Sequence, residues 1–595
     1  ITSGGNYNVV VGDEAGTAIT TGDYNVALGY VALDANTTAS ENIAIGGVAL
    51  GTNILGSKST AVGSGALQTQ NYATATDGLN VAVGYASGSG VTTGVQNTLI
   101  GSSSGDALTN ADFNVAVGYQ ALTTDTLGSK SVAIGRNTLS AQNFTTETDS
   151  FNTAVGHSAG FAVTTGGQNT LIGGRAGDAL TDADHNVAVG QQALSTDTLG
   201  SRSTAIGQGA LFTQNFTTAT NSYNTAVGYE AGVAITTGVN NTLIGGLAGD
   251  AITTGFSNSL VGKLSGSALT DADYNVAMGQ QSLAQDTQGS TAVAIGSFAL
   301  GTQNFTTATN NYNVGVGYAA GGAITTGIKN TLIGALAGDA LTDAGFNTVV
   351  GMDALTSDTL GSRSTAIGVG ALNGQNFTTA TNTYNVAVGM NAGNVITTGI
   401  ENTLIGSLAG DSLTTGTENI LIGYQSEVSA VDGVNQICIG IDINAGGNNN
   451  FSFGKASNVV TNDFDADANW SRSSDERLKK NITNQSLGLD FINDLRTVKY
   501  NWKASNELDS TDAQLAHLYK EDAADNEMNT DVVMHNFIAQ EVKAALNTAG
   551  VSNFAGWNED QNGVQQVSRE MFVIPLVKAV QELSTALDAA LARIA

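Results

Sequence analysis

The sequence predicts a mainly β protein: a trimeric parallel β-roll (β-solenoid) shaft with 17-residue coils, followed by a small α/β domain that ends in a coiled-coil helix. Three observations carry that reading. A five-residue motif closing on glycine recurs at fixed spacing from Gly12 to Gly440. The composition combines 75 Gly with a single Pro, Pro575, and only 12% charged residues, which suits repetitive β structure better than ordinary globules. After Gly440 the period stops, and 13 of the 21 Lys and Arg fall in residues 441–595.

The shaft comes first. The motif reads Asn/Ser, Val/Thr, Ala/Leu, Val/Ile, Gly, and nearly all of its 25 marker glycines follow one another at a single step, the one that leads from Gly101 to Gly118. Five steps, those ending at Gly84, Gly156, Gly228, Gly317 and Gly389, are 21 residues long. A short fixed period built on β-branched triplets implies a solenoid, in which each coil supplies backbone hydrogen bonds to the next. A helical repeat would not tolerate so much glycine. At about 4.8 Å per coil the shaft of residues 1–440 should extend roughly 120 Å.

Neighbouring side chains of a strand point to opposite faces, yet Val115, Ala116 and Val117 are all apolar or small. Both faces should therefore be covered. One 17-residue coil encloses too thin a core to do that alone, so the second face calls for a partner. The small central Ala is expected to let neighbouring chains approach, three around one axis.

The segments SVAIG at 131–135, STAIG at 203–207 and NVAVG at 186–190 resemble the head repeats of trimeric autotransporter adhesins. The resemblance covers residues 1 to about 440. It implies a left-handed parallel β-roll, a homotrimer and surface binding. The coils of that family are usually shorter, and no membrane-anchor barrel follows here.

The 21-residue coils carry an insertion related to QNFTTAT, with Tyr72, Phe144, Phe216, Phe305 and Phe377 at equivalent places and Phe151, Tyr223, Tyr312 or Tyr384 closing four of the loops. One reading makes these candidate receptor loops that offer aromatic and amide groups to a host glycan or protein. The other makes each aromatic pair a staple for its own loop. Asp106, Asp112, Asp178, Asp182 and Asp184 read as turn carboxylates, since their spacing does not match a calcium-binding β-roll. Asp463, Asp465, Asp467 and Asn469 imitate the start of a calcium loop but lack its sixth-place Gly and its twelfth-place Glu, which is Ser474. No metal or cofactor is expected. His157 and His185 stand alone and read as surface residues. Cys438, between Ile437 and Ile439, reads as a buried thiol.

Residues 441–473, rich in Asn, Asp and Ser, with Trp470 as a lone large hydrophobe, read as a connector. Then come SDERLKKNI at 474–482, GLDFINDLRTVKYNWK at 488–503, HNFIAQEV at 535–542 and PLVKAVQEL at 575–583. In this order they resemble the intramolecular chaperone domain at the C-terminus of phage endosialidase tailspikes and tail fibres. The resemblance covers residues 474–595. It implies that the domain trimerises, assists folding of the fibre before it, and releases itself by cleavage between Ser473 and Ser474, with Ser474 as nucleophile and Lys479 as base. A serine hydroxyl needs a neighbour to take its proton, and an uncharged lysine can do so once burial or the nearby Arg477 and Lys480 lower its pKa. Residues five apart do not share a helix face, so Ser474 should precede the helix as its N-cap, with Lys479 reaching back. His517 and His535 lie outside the motif and read as structural, and Trp502 and Trp557 as core anchors.

The terminal helix places Val573, Leu576, Val580, Leu583, Leu587, Ala590 and Ile594 at alternating steps of three and four, a seam that wants parallel partners. A short trimeric coiled coil would bring three chains into register before the slow, non-local β-roll forms.

The net charge of −30, with only eight Lys and Arg in residues 1–440, argues against nucleic acid, and no apolar run is long enough for a spanning helix. Glycan hydrolysis would need paired carboxylates in a groove, and none can be picked out of turn-rich repeats. Ile1 is no initiator Met, so more chain is expected upstream. Taken together, the expected protein is a virion tail fibre assembled in the host cytoplasm. Its partners would be two further copies, upstream tail or baseplate proteins and a host surface glycan or protein. A bacterial trimeric adhesin is the alternative, and any enzymatic act would be a single self-cleavage.

Overall fold

The computed structural model describes residues 4–463, 467–472 (backbone only), 474–521 and 530–594. The chain divides into two compact units, Ile1–Ser473 and Ser474–Ala595.

In the first unit every triplet is a three-residue strand, paired in parallel with the triplet one coil away, as Val115, Ala116 and Val117 are with Val132, Ala133 and Ile134. The triplets belong to one 28-stranded sheet. Short parallel pairs such as Gly128–Ser129 with Thr148–Asp149 add a second ladder where the 21-residue coils occur. The marker glycine is obligatory for two reasons. Gly29 has φ +140, and a Cβ there would stand 2.6 Å from the carbonyl oxygen of Gly46 in the next coil.

The core is a continuous column inside the coils. The central member of each triplet points into it: Ala116, Ala133, Ala154 and Leu171 are wholly buried within the single chain. This corrects the expectation that the small central residue marks the contact between chains. Alanine is there because a 17-residue coil leaves little interior room. In many coils the volume is shared between two positions. Where the centre is Ala116, the left-handed position six places on is Leu122, φ +55, which turns inward. Where the centre is Leu99, that position is Gly105, whose added Cβ would lie 2.8 Å from the Leu99 side chain.

The flanking members of the triplet point outward. Ile134, Ile172 and Ile206 are each 38% exposed, so a lone chain carries an uncovered apolar stripe on the outer face of its sheet.

The leading Asn of the motif builds a buried ladder. Asn25 Oδ1 accepts the Asn42 N–H at 3.0 Å, Asn42 Oδ1 accepts the Ser59 N–H at 3.0 Å, and Asn42 Nδ2 donates to the Gly56 carbonyl at 2.8 Å. Each amide thus satisfies backbone groups that the coil's corner would leave unpaired.

Beyond Gly440 the shaft does not give way to a connector. Asn450–Lys455 adds a further parallel rung, with Phe451 on Ile437 and Phe453 on Ile439. Asn458–Asp463 and Asp467–Arg472 then close the sheet as antiparallel strands. The missing period misled the sequence reading, because one shortened coil, from Ile437 to Phe451, and a hairpin carry the same ladder on. Reversing strand direction ends the roll without leaving an unsatisfied parallel edge. Cys438 is buried here, and burial pushes its thiol up to about 12.

In the second unit, α1 (Leu489–Asn493), α2 (Ala539–Thr548) and α3 (Val573–Ile594) surround a small core of Leu487, Phe491, Val542, Ala545, Leu546 and Phe572. Phe491 stacks on Phe572 at 6.1 Å. Two short antiparallel pairs, Val498–Tyr500 with Met534–Asn536 and Trp557–Glu559 with Gln565–Val567, complete it. Trp557 packs against this core, with Lys543 over its ring. Trp502 does not: it is 44% exposed, lies just past the end of the Val498–Tyr500 strand and meets Tyr500 edge-on at 5.3 Å. Among the described residues no helix is long and apolar enough to cross a membrane.

Candidate functional site

The second unit opens on Ser474-Asp475-Glu476-Arg477-Leu478-Lys479. Asp475, not Ser474, is the N-cap: its carboxylate accepts the Arg477 N–H at 2.9 Å and starts a single 3-10 turn, Glu476–Leu478. The same carboxylate takes two bonds from the Arg477 guanidinium, at 3.0 and 2.6 Å, which hold it below the usual carboxylate range. Asp wins the cap position because its fixed charge faces both the turn's free N–H groups and a cation.

The turn ends at Lys479, which is extended at φ −111, ψ 148. The tight i to i+3 geometry folds the side chain back across the turn, and Lys479 Nζ donates to Ser474 Oγ at 2.6 Å. A hydroxyl and an amine are thereby within hydrogen-bond distance, five positions apart. Both side chains are exposed. Arg477 is engaged by Asp475, so its charge is compensated and does not act freely on the lysine. Ser473, the other side of the expected scissile bond, lies outside the described residues.

The helix seam is positioned by what the opposite face of α3 does. Pro575 and Ala579 are buried in the domain, and Glu582 accepts the Leu489 N–H at 2.8 Å, capping α1, while Lys578 sits 3.3 Å from the same carboxylate. The Leu489 bond and then Lys578 keep the Glu582 carboxyl below its ordinary value. With that face committed, Val573, Leu576, Val580, Leu583, Leu587 and Ile594 are left between 51% and 83% exposed. Ala590 is exposed as well.

The candidate receptor aromatics of the shaft are not offered to a ligand. Tyr72, Phe144, Phe216, Phe305 and Phe377 are only 5–7% exposed. Each is drawn inward by a buried polar network that sequence reasoning missed. Asp197 Oδ1 accepts the Phe216 and Gly200 N–H groups at 3.1 and 3.0 Å, and Gln214 Nε2 donates to Asp197 Oδ2 at 2.6 Å and to Ser203 Oγ at 2.8 Å. The arrangement recurs around Asp125, Asp286 and Asp358. In the first long coil Asn53 stands in for Asp, and Tyr72 donates to the Gly94 carbonyl at 2.8 Å, burial raising its hydroxyl to about 12. The signal was present in the chain as an Asp one coil ahead of four of the five inserted Gln, as Asp197 stands ahead of Gln214. The second aromatics, Phe151, Tyr223, Tyr312 and Tyr384, remain outside, half-exposed. No ring contact joins them to the first, so the loops are stapled by hydrogen bonds and burial.

The turn carboxylates serve the stack. Asp106 accepts Thr123 Oγ, Asp178 accepts Ser195 Oγ and Asp182 accepts Thr165 Oγ, each at 2.5 Å, while Asp112 and Asp184 accept the Val95 and Gly167 N–H groups at 2.7 Å. Asp463 and Asp467 face each other across an antiparallel pair, so the calcium-like spacing sits between strands and not between helices. Asp465 lies outside the described residues, and only the backbone of Asn469 and Trp470 is described. His157, His185, His517 and His535 are exposed. His517 Nε2 lies 3.3 Å from Asn562 Nδ2.

Residues 474–551 match the family model described as the chaperone of endosialidase. No curated protein and no solved structure matches the chain.

Proposed function

We propose that this chain is one of three identical subunits of a phage tail fibre, a virion protein assembled in the host cytoplasm. Its partners would include tail or baseplate proteins, and the β-solenoid would carry attachment to a host surface glycan or protein. The C-terminal unit acts as an intramolecular chaperone. Its exposed α3 seam gathers three chains, which sets the register of coils whose pairing is otherwise slow because every strand contact spans a whole coil or more. The apolar stripe along the shaft is then covered by the other two copies.

The chaperone is released once. Ser474 Oγ attacks the Ser473 carbonyl carbon as its proton passes to the Lys479 amine. The peptide C–N bond breaks, the Ser474 nitrogen leaves with a proton, and an ester joins the two residues. Water hydrolyses that ester, leaving a Ser473 carboxylate and a free Ser474 amine and hydroxyl. The observation that carries the proposal is the 2.6 Å Lys479–Ser474 contact at the first residue of a unit that matches a chaperone family.

Intact mass and denaturing gels of wild-type protein beside Ser474→Ala test it. The expected outcome is two fragments from wild type, with a new N-terminus at Ser474, and one full-length chain from the variant. A single wild-type species would end the proteolytic part.

A further inference from the structure

The residue just before each ladder Asn or Ser occupies the left-handed region, at φ +54 for Tyr312, +59 for Lys329, +63 for Phe346, +66 for Arg363 and +50 for Tyr384. These positions form a column on the outside of the roll. The coil-to-coil bond from the Lys329 N–H to the Asn311 carbonyl, at 2.7 Å, and that from Phe346 to Ile328, at 3.0 Å, keep consecutive members in adjacent rungs. Five of the eight Lys and Arg in residues 1–440 stand in this column: Lys58, Lys130, Arg202, Lys329 and Arg363. The same column holds Glu41, Glu401 and Glu418, so it is positive by two in a chain of net charge −30, and Lys329 and Arg363 are its most closely spaced cations.

Its members are not equivalent. Lys58 and Lys130 are neutralised by Asp77 and Asp149, at 2.7 and 2.6 Å. Arg363 instead donates to a neutral amide, Asn382 Oδ1, at 3.1 Å, and no ion pair among the described residues engages Lys329 or Arg363. Both lean on one ring: Lys329 Nζ is 5.0 Å and the Arg363 guanidinium 4.8 Å from the centroid of Phe346, and Arg363 is 5.9 Å from that of Tyr384. Tyr312, Phe346 and Tyr384 are 54%, 44% and 50% exposed, and Lys329 and Arg363 are exposed too. The result is an alternating ring, cation, ring, cation, ring ridge over five coils, roughly 19 Å long at the spacing of hydrogen-bonded strands.

We propose that this ridge binds a linear acidic polysaccharide in which charged and neutral sugars alternate. This rests on the attachment reading and gives it a ligand class. The two cations are two coils apart, about 10 Å. A nucleic-acid strand carries a charge every ~3.4 Å, far denser than this ridge can match. A polymer with one anionic group per disaccharide fits the sparser spacing. The exposed outer rings, Tyr312 and Tyr384, suit the polarised C–H groups on the flat side of a sugar, and the cations held against Phe346 take carboxylate, sulfate or phosphate through charge-assisted hydrogen bonds.

The test measures binding of the full chain to an alternating uronate–N-acetylhexosamine polymer, to its sulfated form, to its carboxyl-reduced form and to oligo-deoxythymidylate. Lys329→Gln with Arg363→Gln is expected to weaken uronate binding about tenfold or more, as is carboxyl reduction, and Lys58→Gln to change it less than about twofold. Tighter binding of the sulfated polymer, still lost in the double variant, would support the ridge and assign sulfate as its anion. Undiminished binding by the double variant, equal loss in Lys58→Gln, or equal affinity for the oligonucleotide would overturn the proposal. So would a change in the double variant's sedimentation mass, which would assign the ridge to contact between copies. A wild-type fibre that attaches to host cells while binding none of these polymers removes this ligand and leaves attachment standing; one that attaches to no cell removes both.

Discussion

The two units solve the problem of burial differently. In the shaft each coil is roofed and floored by its neighbours, so a single chain already buries the central residue of its triplets and the leading asparagines of the motif, and leaves an apolar stripe on the outer face of the sheet. The C-terminal unit has the reverse balance. Among the described residues a cluster of six buried hydrophobics centred on Phe491 and Phe572 forms a small core, while the longest helix exposes its seam. Repetition lets a chain complete its own interior. A unit without repetition and without a large core must borrow surface from partners, which suits a clamp that acts first and is then discarded.

The sharpest way to break this contrast is to charge the seam. Leu583→Asp with Leu587→Asp should abolish assembly altogether, since each buried seam leucine contributes ~1.5–3 kcal/mol per chain. Sedimentation and limited proteolysis should find dispersed, digestible chains. A protease-resistant trimeric shaft in that variant would mean that the roll finds its own register and the second unit is dispensable.

Within the shaft the contrast between buried and exposed aromatics can be measured directly. Phe216→Ala should cost roughly 3–5 kcal/mol, as it empties a site beside the Asp197 network, whereas Tyr223→Ala, in the same loop and half-exposed, should stay within about 0.5 kcal/mol. Thermal unfolding of the two variants checks this. Equal losses would show that the loop is closed by the pair and not by the inner ring.

The smallest effect concerns the end of the roll. Glu427 accepts the Asp411 N–H at 2.8 Å and the Ser412 hydroxyl at 2.6 Å, and burial, reinforced by the neighbouring Asp411, raises its carboxyl from 4.5 to about 7. A raised acid favours the fold in its protonated form. Its contribution is therefore complete below pH 4.5 and is lost as pH rises through about 7, by about 1–2 kcal/mol once solvent screening is allowed for. Glu427→Gln should flatten this part of the stability profile, and hydrogen exchange near residues 411–428 reads it. An unchanged profile in the variant would place the titration elsewhere.

Much of the architecture was legible in the chain because its causes are local and repeated. A glycine closing every coil, a triplet rich in β-branched residues before it and an absence of proline favour a stacked roll, and the SDERLK motif marks the start of the second unit only together with the three ordered segments that follow it. Tertiary structure alone decided which side of the triplet faces inward, that Phe216 is hidden while Tyr223 is not, and that Glu582 caps a helix 93 residues earlier. It also put Lys329 and Arg363 over one ring, though along the chain they look like isolated charges. These outcomes depend on which residues become neighbours one or two coils apart and on what each neighbour leaves uncovered. Burial and pairing are properties of that arrangement, and periodicity constrains them without specifying them.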